Sequence, residues 1–115
     1  MAGGAFLEFN RELIAASASM LVLSILERGD TYGYEIIKKV SRLSNGALEW
    51  ADGMLYPILH RLENKGHISS YWEKSKSGRK RKYYRITKRG LHSLRKEQES
   101  WKYMNRVLLE IWDVA

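Results

Sequence analysis

The apolar residues of this 115-residue chain change their spacing near Gly66, and this change constrains the fold more than any other feature. Before Gly66 they recur every three or four positions, which is typical of amphipathic helices. Residues 68–72 and 82–86 instead form short runs rich in β-branched and aromatic side chains, which indicates strands. Helical spacing returns after Thr87. The pattern predicts a mainly α fold with a small β-hairpin before the last helix.

Three helices are predicted before the hairpin, over residues 8–28, 32–44 and 53–65. Each presents an apolar stripe that we expect to face a common core. The stripe of the first helix consists of Leu13, Ile14, Ser17, Met20, Leu21, Ser24 and Ile25, widened by Leu23 and Leu26. That of the second consists of Ile36, Ile37, Val40 and Leu43, and that of the third of Leu55, Ile58, Leu59 and Leu62.

The last helix is predicted to run from an N-cap at Thr87 to about Asp113. At 1.5 Å per residue it is roughly 40 Å long. A core of this size cannot cover its apolar residues, and a large exposed apolar patch indicates an interface. We therefore predict a homodimer held by this helix and the start of the first. The expected interface residues are Phe6, Phe9, Leu94, Trp101, Met104, Leu108, Ile111 and Trp112.

Positive charge is concentrated in residues 74–89, which read KSKSGRKRKYYRITKR. This segment holds nine basic residues and no acidic one, which leaves eleven basic and thirteen acidic residues elsewhere. A basic patch on a nearly neutral body suits a polyanion, with nucleic acid ahead of an anionic membrane surface. The alternative is a solvated loop that is basic for solubility. Nine uncompensated cations favour phosphate binding.

Three helices followed by a hairpin is the element order of a winged helix-turn-helix. In that fold residues 53–65 are the recognition helix and residues 67–86 the wing. Outward side chains of this helix can reach base edges or phosphates, although an ordinary amphipathic helix would look the same in isolation. The predicted DNA-binding residues are Tyr34, Lys38, Met54, Tyr56, Pro57, His60, Arg61, Lys74, Lys76, Arg79, Lys80, Arg81 and Lys82. On this interpretation residues 1–86 form the DNA-binding unit, and residues 87–115 form the dimerisation helix packed onto it.

Three motifs together resemble the PadR family of bacterial transcriptional regulators. They are YGYEI at 32–36, GMLYPILHRLE at 53–63, and the segment from Gly78 to Thr87 that contains KYYRIT. The resemblance covers about residues 13–113. Its single-domain length is similar to that of the small subfamily that includes a lactococcal multidrug-sensing regulator. It implies a dimeric winged-helix repressor of a palindromic, double-stranded operator. One departure is Met54, where the family often has Thr or Ser.

The resemblance also implies a role for Trp101, which stands in the context Glu99-Ser100-Trp101. In the small subfamily the equivalent Trp and its symmetry mate form a slot for a small planar aromatic or cationic ligand, and many members release DNA when a ligand binds. Stacking and cation–π attraction suit such a molecule. Plain packing at the dimer interface is the alternative for Trp101.

Several function classes are excluded or disfavoured. The chain has no Cys, so disulfides and thiolate sites are excluded. None of His60, His67 and His92 has a His partner at helical spacing, so no metal or cofactor is predicted. No catalytic motif is present, and we do not expect an enzyme. The apolar run at 15–26 is too short to span a membrane, so a cytoplasmic location and no membrane contact are expected.

Other functions remain open at this point. One is an aromatic small-molecule binding protein with only weak, sequence-blind DNA affinity. Another is an adaptor whose last helix docks a different protein. A winged helix that binds RNA is a third. Specific operator binding would favour the repressor, and a partner protein held on the last helix would favour the adaptor.

Overall fold

The computed structural model of the chain describes residues 11–113. Within them it confirms a mainly α chain with a small antiparallel sheet. The predicted residues 8–10 of the first helix, with Phe6 and Phe9, lie outside the described residues. The elements are α1 (Arg11–Glu27), β1 (Thr31–Tyr32), α2 (Gly33–Leu43), α3 (Asp52–Asn64), β2 (Ile68–Lys74), β3 (Lys80–Ile86) and α4 (Lys88–Asp113).

The predicted hairpin is part of a three-stranded sheet in the order β1–β3–β2. The added strand β1 pairs Thr31 with Tyr84 and Tyr32 with Tyr83. A strand of two residues is too short to show the alternating pattern by which a sequence predicts strands. It forms because the edge of β3 offers backbone groups with which it can pair.

The hairpin strands are longer than predicted. Pairing continues out to Lys74 opposite Lys80, so residues 73–74 and 80–81, which lie between the two predicted strands, are also strand. The turn is closed by a hydrogen bond in which the Ser75 N–H donates to the Arg79 carbonyl at 2.9 Å. Gly78 allows this tight turn because it adopts a φ of +84°. Cross-strand pairing therefore extends both strands into this polar segment.

All four apolar residues predicted to be buried in α3 lie in the core. The orientation of α1 differs in part from the prediction. Leu23, Ile25 and Leu26 are buried as predicted, but Ala18 and Val22 are buried as well, whereas Leu13 is 41% exposed. Every position of α1 from Leu13 to Leu26 is either apolar or a small serine, so its periodicity does not determine which side faces inward. The predicted burial of Leu43 is also wrong. This residue ends α2 beyond the edge of the core and is 69% exposed.

Among the described residues, the buried positions of α4 are Gly90 and Leu94, both in the first part of the helix. Leu94 is fully buried within one chain, which corrects its assignment to the dimer interface. The neighbouring Arg95 forms an ion pair with Glu27 at the end of α1, and this pairing lowers the pKa of Glu27. Beyond that point α4 exposes a series of large apolar or aromatic side chains, which are Trp101, Tyr103, Met104, Leu109, Ile111 and Trp112.

The start of α4 is fixed by Thr87 and Gly90. As predicted, Thr87 caps the helix, and its hydroxyl accepts a hydrogen bond from the Gly90 N–H at 3.0 Å. The same hydroxyl donates to the Gly66 carbonyl at 2.6 Å. A Cβ at Gly90 would collide with the backbone carbonyl of His67, so no other residue fits here without moving the backbone.

We expect Gly90→Ala to lower the free energy of unfolding by roughly 1–3 kcal/mol, because the added methyl group meets backbone rather than a flexible side chain. The matched control is Gly53→Ala in α3, where nothing lies within 4 Å of the added Cβ. That variant should be neutral or more stable by up to about 1 kcal/mol. Urea denaturation followed by circular dichroism measures both. Equal stability of the two variants would contradict the steric explanation.

Candidate nucleic-acid interface

A groove of about 240 Å³ lies between the wing and the beginnings of α2 and α3. Here the wing means β2, β3 and the turn that joins them. The groove walls are aromatic and basic, and the residues that line it are Tyr32, Gly33, Tyr34, Tyr56, Trp72, Arg79, Lys80, Arg81 and Lys82. The combination of planar rings and cations suits a ligand with flat bases and a phosphate backbone.

The floor of the groove depends on close contact between α2 and α3. Gly33, the first residue of α2, is buried, and a Cβ there would lie 2.5 Å from the Tyr56 hydroxyl. No side chain caps this end of α2. Helix N-termini attract anions because their first N–H groups are unpaired. Because Gly33 has no side chain, the Tyr56 hydroxyl can lie against the start of α2.

Four of the five residues predicted as DNA contacts in α3 are exposed, namely Tyr56, Pro57, His60 and Arg61. Met54 is different. It is half-buried against the core and lines a separate cleft with Ile14 and Trp50. The prediction that Met54 faces outward is therefore wrong, because the first turn of α3 packs toward α1.

The tip of the wing carries charge without compensation. Lys74, Lys76, Arg79 and Lys80 are exposed, and Arg81 and Lys82 are half-buried. Within residues 11–113 none of these six forms an ion pair. Lys38 is the cation predicted to contact DNA from α2. Its Nζ lies 3.7 Å from the Glu35 carboxylate and 5.3 Å from the centre of the Tyr34 ring. The wing thus supplies unpaired cations to the groove.

A stack of aromatic rings crosses the outer face of the sheet and holds Arg81. The guanidinium carbon of Arg81 lies 4.3 Å from the centre of the Tyr32 ring. Tyr32 contacts the edge of Tyr83, with ring centres 5.4 Å apart, and Tyr83 stacks on Tyr71 at 5.7 Å. These rings come one from each strand, so the stack ties the wing to the segment before α2.

The far end of the stack is anchored by Asp30. The Tyr71 hydroxyl donates to the Asp30 carboxylate at 2.7 Å, and Arg85 Nε donates to the same oxygen at 3.1 Å. The hydrogen bond to Asp30 raises the pKa of Tyr71, since it favours the neutral phenol. Arg85 also lies 4.9 Å from the Tyr71 ring centre. Asp30 therefore fixes one end of the sheet at the α1–α2 connection.

On the opposite face of β3, Tyr84 lies in the core. Burial raises its pKa to about 12, and the nearby Tyr56 and Glu63 add to the shift. A neutral phenol is therefore maintained throughout the physiological pH range. Ser70 donates to Glu63 at 2.6 Å and joins β2 to α3. These contacts set the wing at a defined position beside α3.

Sequence reasoning missed three residues of the groove, which are Gly33 and the two aromatic residues Tyr32 and Trp72. Trp72 is 66% exposed and stands opposite Lys82 in the hairpin register. An exposed Trp on a strand next to the basic segment was the available signal for it. Tyr32 enters the groove through the short strand β1, which the sequence does not indicate.

The predicted ligand residue Trp101 lies on the exposed part of α4. It lines an apolar depression of about 260 Å³ with Ser100 and Met104, and it is 42% exposed. Of the predicted interface residues, Met104, Ile111 and Trp112 are exposed in the same way, and Leu108 is half-buried.

Comparison with known proteins places this geometry in a family. The model of the transcriptional regulator PadR-like family matches residues 22–96. The chain belongs to the PadR-like family. It is 31% identical over 97 residues to an uncharacterised protein of Lysinibacillus sphaericus, covering 84% of this chain and 89% of that one.

Solved structures agree with the PadR-like assignment. A PadR family transcription regulator from Clostridium difficile R20291 has a TM-score of 0.75 and 35% identity, covering 84% of this chain and 98% of that one. A PadR-like transcriptional regulator from Bacillus cereus has a TM-score of 0.82 and 27% identity, covering 90% and 99%. The chain is therefore a PadR-like transcriptional regulator with a DNA-binding winged helix, and regulators of this family are not enzymes.

Among residues 11–113 no cluster of three His, Asp or Glu side chains is arranged to hold a metal ion. In the same part of the chain, no helix is both long enough and apolar enough to cross a membrane.

We expect Tyr32→Leu to weaken DNA binding two- to fivefold, because it removes the ring that holds Arg81, and such a contact contributes about 0.5–1 kcal/mol at an exposed site. Tyr32→Phe keeps the ring and should bind like the wild type. Fluorescence anisotropy with a labelled duplex measures both. An equal loss in the two variants would show that the ring's contact with Arg81 is not the cause.

Proposed function

We propose that this protein is a homodimeric repressor that binds a palindromic operator in double-stranded DNA. The observation that carries the proposal is the groove in which the unpaired cations of the wing stand beside the exposed side chains of α3. Cations contact phosphates and fix the position of a protein on the duplex, whereas groove-reading side chains supply sequence preference. Such a protein acts where the chromosome lies, in agreement with the predicted cytoplasmic location.

The roles divide between two parts of the interface. Tyr56, Pro57, His60 and Arg61 are exposed on α3 and are suited to reading base edges in the major groove. Phosphate contacts fall to the wing and to the start of α2. The residues assigned to them are Tyr34, Lys38, Lys74, Lys76, Arg79, Lys80, Arg81 and Lys82.

The exposed apolar length of α4 supports the dimer. A monomer would leave four large side chains in water over the last part of the helix, namely Met104, Leu109, Ile111 and Trp112. Two copies related by a twofold axis would place two recognition helices about one turn of DNA apart, roughly 34 Å. We thus assign residues 1–86 to DNA binding and residues 87–115 to dimerisation.

A ligand response is the second part of the proposal. The depression at Trp101 is open in one chain, and a second copy of α4 across the axis would turn it into a slot between two indoles. Such a slot suits a small planar aromatic or cationic compound, as in the small PadR subfamily that includes the lactococcal multidrug-sensing regulator. A ligand would regulate DNA binding only if it bound the DNA-competent and incompetent dimers unequally.

The DNA-binding role is tested on the wing. The triple variant Arg79→Ala, Lys80→Ala, Arg81→Ala should bind all duplexes more weakly, and its salt slope should be flatter by up to roughly 2.7, since each phosphate contact contributes about 0.9. Gel shifts with the promoter region of the protein's own gene, repeated over a range of salt concentrations, measure this. Normal operator binding by the triple variant at physiological salt would rule out phosphate contact by the wing.

The matched controls are Tyr56→Phe and His60→Ala on α3. Each should change the preference between operator sequences by about 1–3 kcal/mol for a good base contact and leave the salt slope unchanged. This contrast separates loss of charge from loss of sequence recognition. It also tests the alternative of a ligand-binding protein with only sequence-blind affinity, for which neither α3 variant would alter preference.

The ligand slot is tested by titrating planar aromatic dyes while Trp fluorescence is recorded. We expect binding tighter than about 100 μM, roughly −5.5 kcal/mol, with quenching that is lost in Trp101→Ala. That control is essential because Trp50, Trp72 and Trp112 also fluoresce. Unchanged quenching in Trp101→Ala would assign Trp101 to interface packing alone.

A further inference from the structure

A second cleft lies away from the DNA-binding groove, between the last turns of α1 and the end of α2. Its volume is about 240 Å³. Leu21, Ile25 and Leu43 give it apolar walls, and Arg28, Lys39 and Arg42 supply three cations. Leu43 is 69% exposed, which leaves a large apolar side chain uncovered at the cleft.

Within residues 11–113 none of the three cations of this cleft forms an ion pair, although Arg28 lies near enough to Glu27 to help lower the pKa of that carboxyl group. The ion pairs within residues 11–113 join Lys38 to Glu35, Arg85 to Asp30 and Arg95 to Glu27, and none of them reaches the cleft. Lys38, one position before Lys39, forms an ion pair with Glu35. The cations of α2 without an ion pair therefore lie on the side of the helix that borders the cleft. The cleft therefore fits an occupant that is apolar on one face and acidic at its edge.

The end of α4 has that character. Leu109, Ile111 and Trp112 are 44%, 66% and 62% exposed, and Glu110 and Asp113 stand among them. The C-terminal end of a helix also carries partial negative charge from its unpaired carbonyl groups. No basic residue lies in the last turn to offset it. The last two turns of α4 thus complement the cleft in both polarity and charge.

The end of α4 in a second chain can reach the cleft. Arg95 of α4 is bound to Glu27, which immediately precedes Arg28 of the cleft. If two copies of α4 run antiparallel with Trp101 at the axis, residue 107 of one stands opposite residue 95 of the other, because both are six positions from Trp101. The residues after 107 then pass the end of the partner's α1, where the cleft begins.

We propose that this cleft is the seat for the last two turns of α4 from a second copy of the chain. The inference rests on the proposed homodimer and adds to it a contact between α4 and the helix pair α1–α2. The acidic residues Glu110 and Asp113 meet Lys39, Arg42 and Arg28, and Leu43 is covered by Ile111 and Trp112. Because α2 also borders the DNA-binding groove, this contact sets the orientation of each winged helix relative to the dimer axis.

The absence of cysteine makes a cross-linking test specific. The double variant Leu43→Cys, Trp112→Cys should form a disulfide-linked dimer under mild oxidation at micromolar concentration, seen on a non-reducing gel. Each single variant is a matched control and should stay unlinked, since two copies of one position lie far apart in this arrangement. Linking by Trp112→Cys alone, as efficiently as by the double variant, would overturn the proposal in favour of direct pairing of the two α4 ends.

Charge reversal gives an independent test that a folding defect cannot imitate. Lys39→Glu with Arg42→Glu should raise the dimer dissociation constant at least tenfold in sedimentation experiments. Adding Glu110→Lys and Asp113→Lys to the same chain should restore dimerisation. Lys65→Glu serves as the control, because Lys65 is exposed after α3 and lines neither the cleft nor the DNA-binding groove, and it should leave the dimer unchanged.

Failure of the seat and failure of the proposed function give different results. If the wild type is a dimer that binds its operator but the reversed-charge variant dimerises normally, only the seat is wrong. If the wild type is a monomer at concentrations that saturate the operator, the proposed homodimer falls together with the seat.

Discussion

The antiparallel register between β2 and β3 determines most of what this molecule presents to its surroundings. Ile68 opposite Ile86 and Ser70 opposite Tyr84 direct one face of the hairpin inward, so the other face carries Arg81, Tyr83 and Arg85. Because side chains alternate along a strand, a shift by one residue would exchange these faces. The burial of Tyr84 and Ile68 therefore also sets the positions of the wing cations.

The same register explains why the wing is a defined structure rather than a flexible arm. Tyr32, Tyr83 and Tyr71 come from three strands and stack because the strands are aligned, and Asp30 anchors the end of the stack. Ordering a flexible basic loop on DNA costs conformational entropy. A wing whose Arg81 is already held against an aromatic ring reduces that cost, and this is a physical advantage for phosphate binding.

Helix α4 joins the two proposed activities of the chain. Its start is fixed to the winged helix through the Thr87 cap, the close approach of Gly90 to His67 and the pair between Arg95 and Glu27. Its remaining length exposes apolar side chains and the depression at Trp101. A rigid helix that starts at the DNA-binding unit and ends on a second copy would convert a change at Trp101 into a change in the spacing of the recognition helices.

The order of the elements, the four buried residues of α3, the Thr87 cap and the basic wing follow from the sequence alone, because period, capping chemistry and charge are local properties. The orientation of α1 does not, since a helix apolar on nearly all sides has no preferred inward face until its neighbours are in place. Met54, Leu94 and Leu43 were misassigned for the same reason: the edge of the core is a property of packed elements. Strand β1 and the inclusion of Tyr32 and Trp72 in the groove arise only when β3 offers its edge and the hairpin register aligns distant residues. The sequence by itself thus determined the four helices, the hairpin and the chemical character of this regulator, whereas tertiary packing added strand β1 and decided which side chains share a surface.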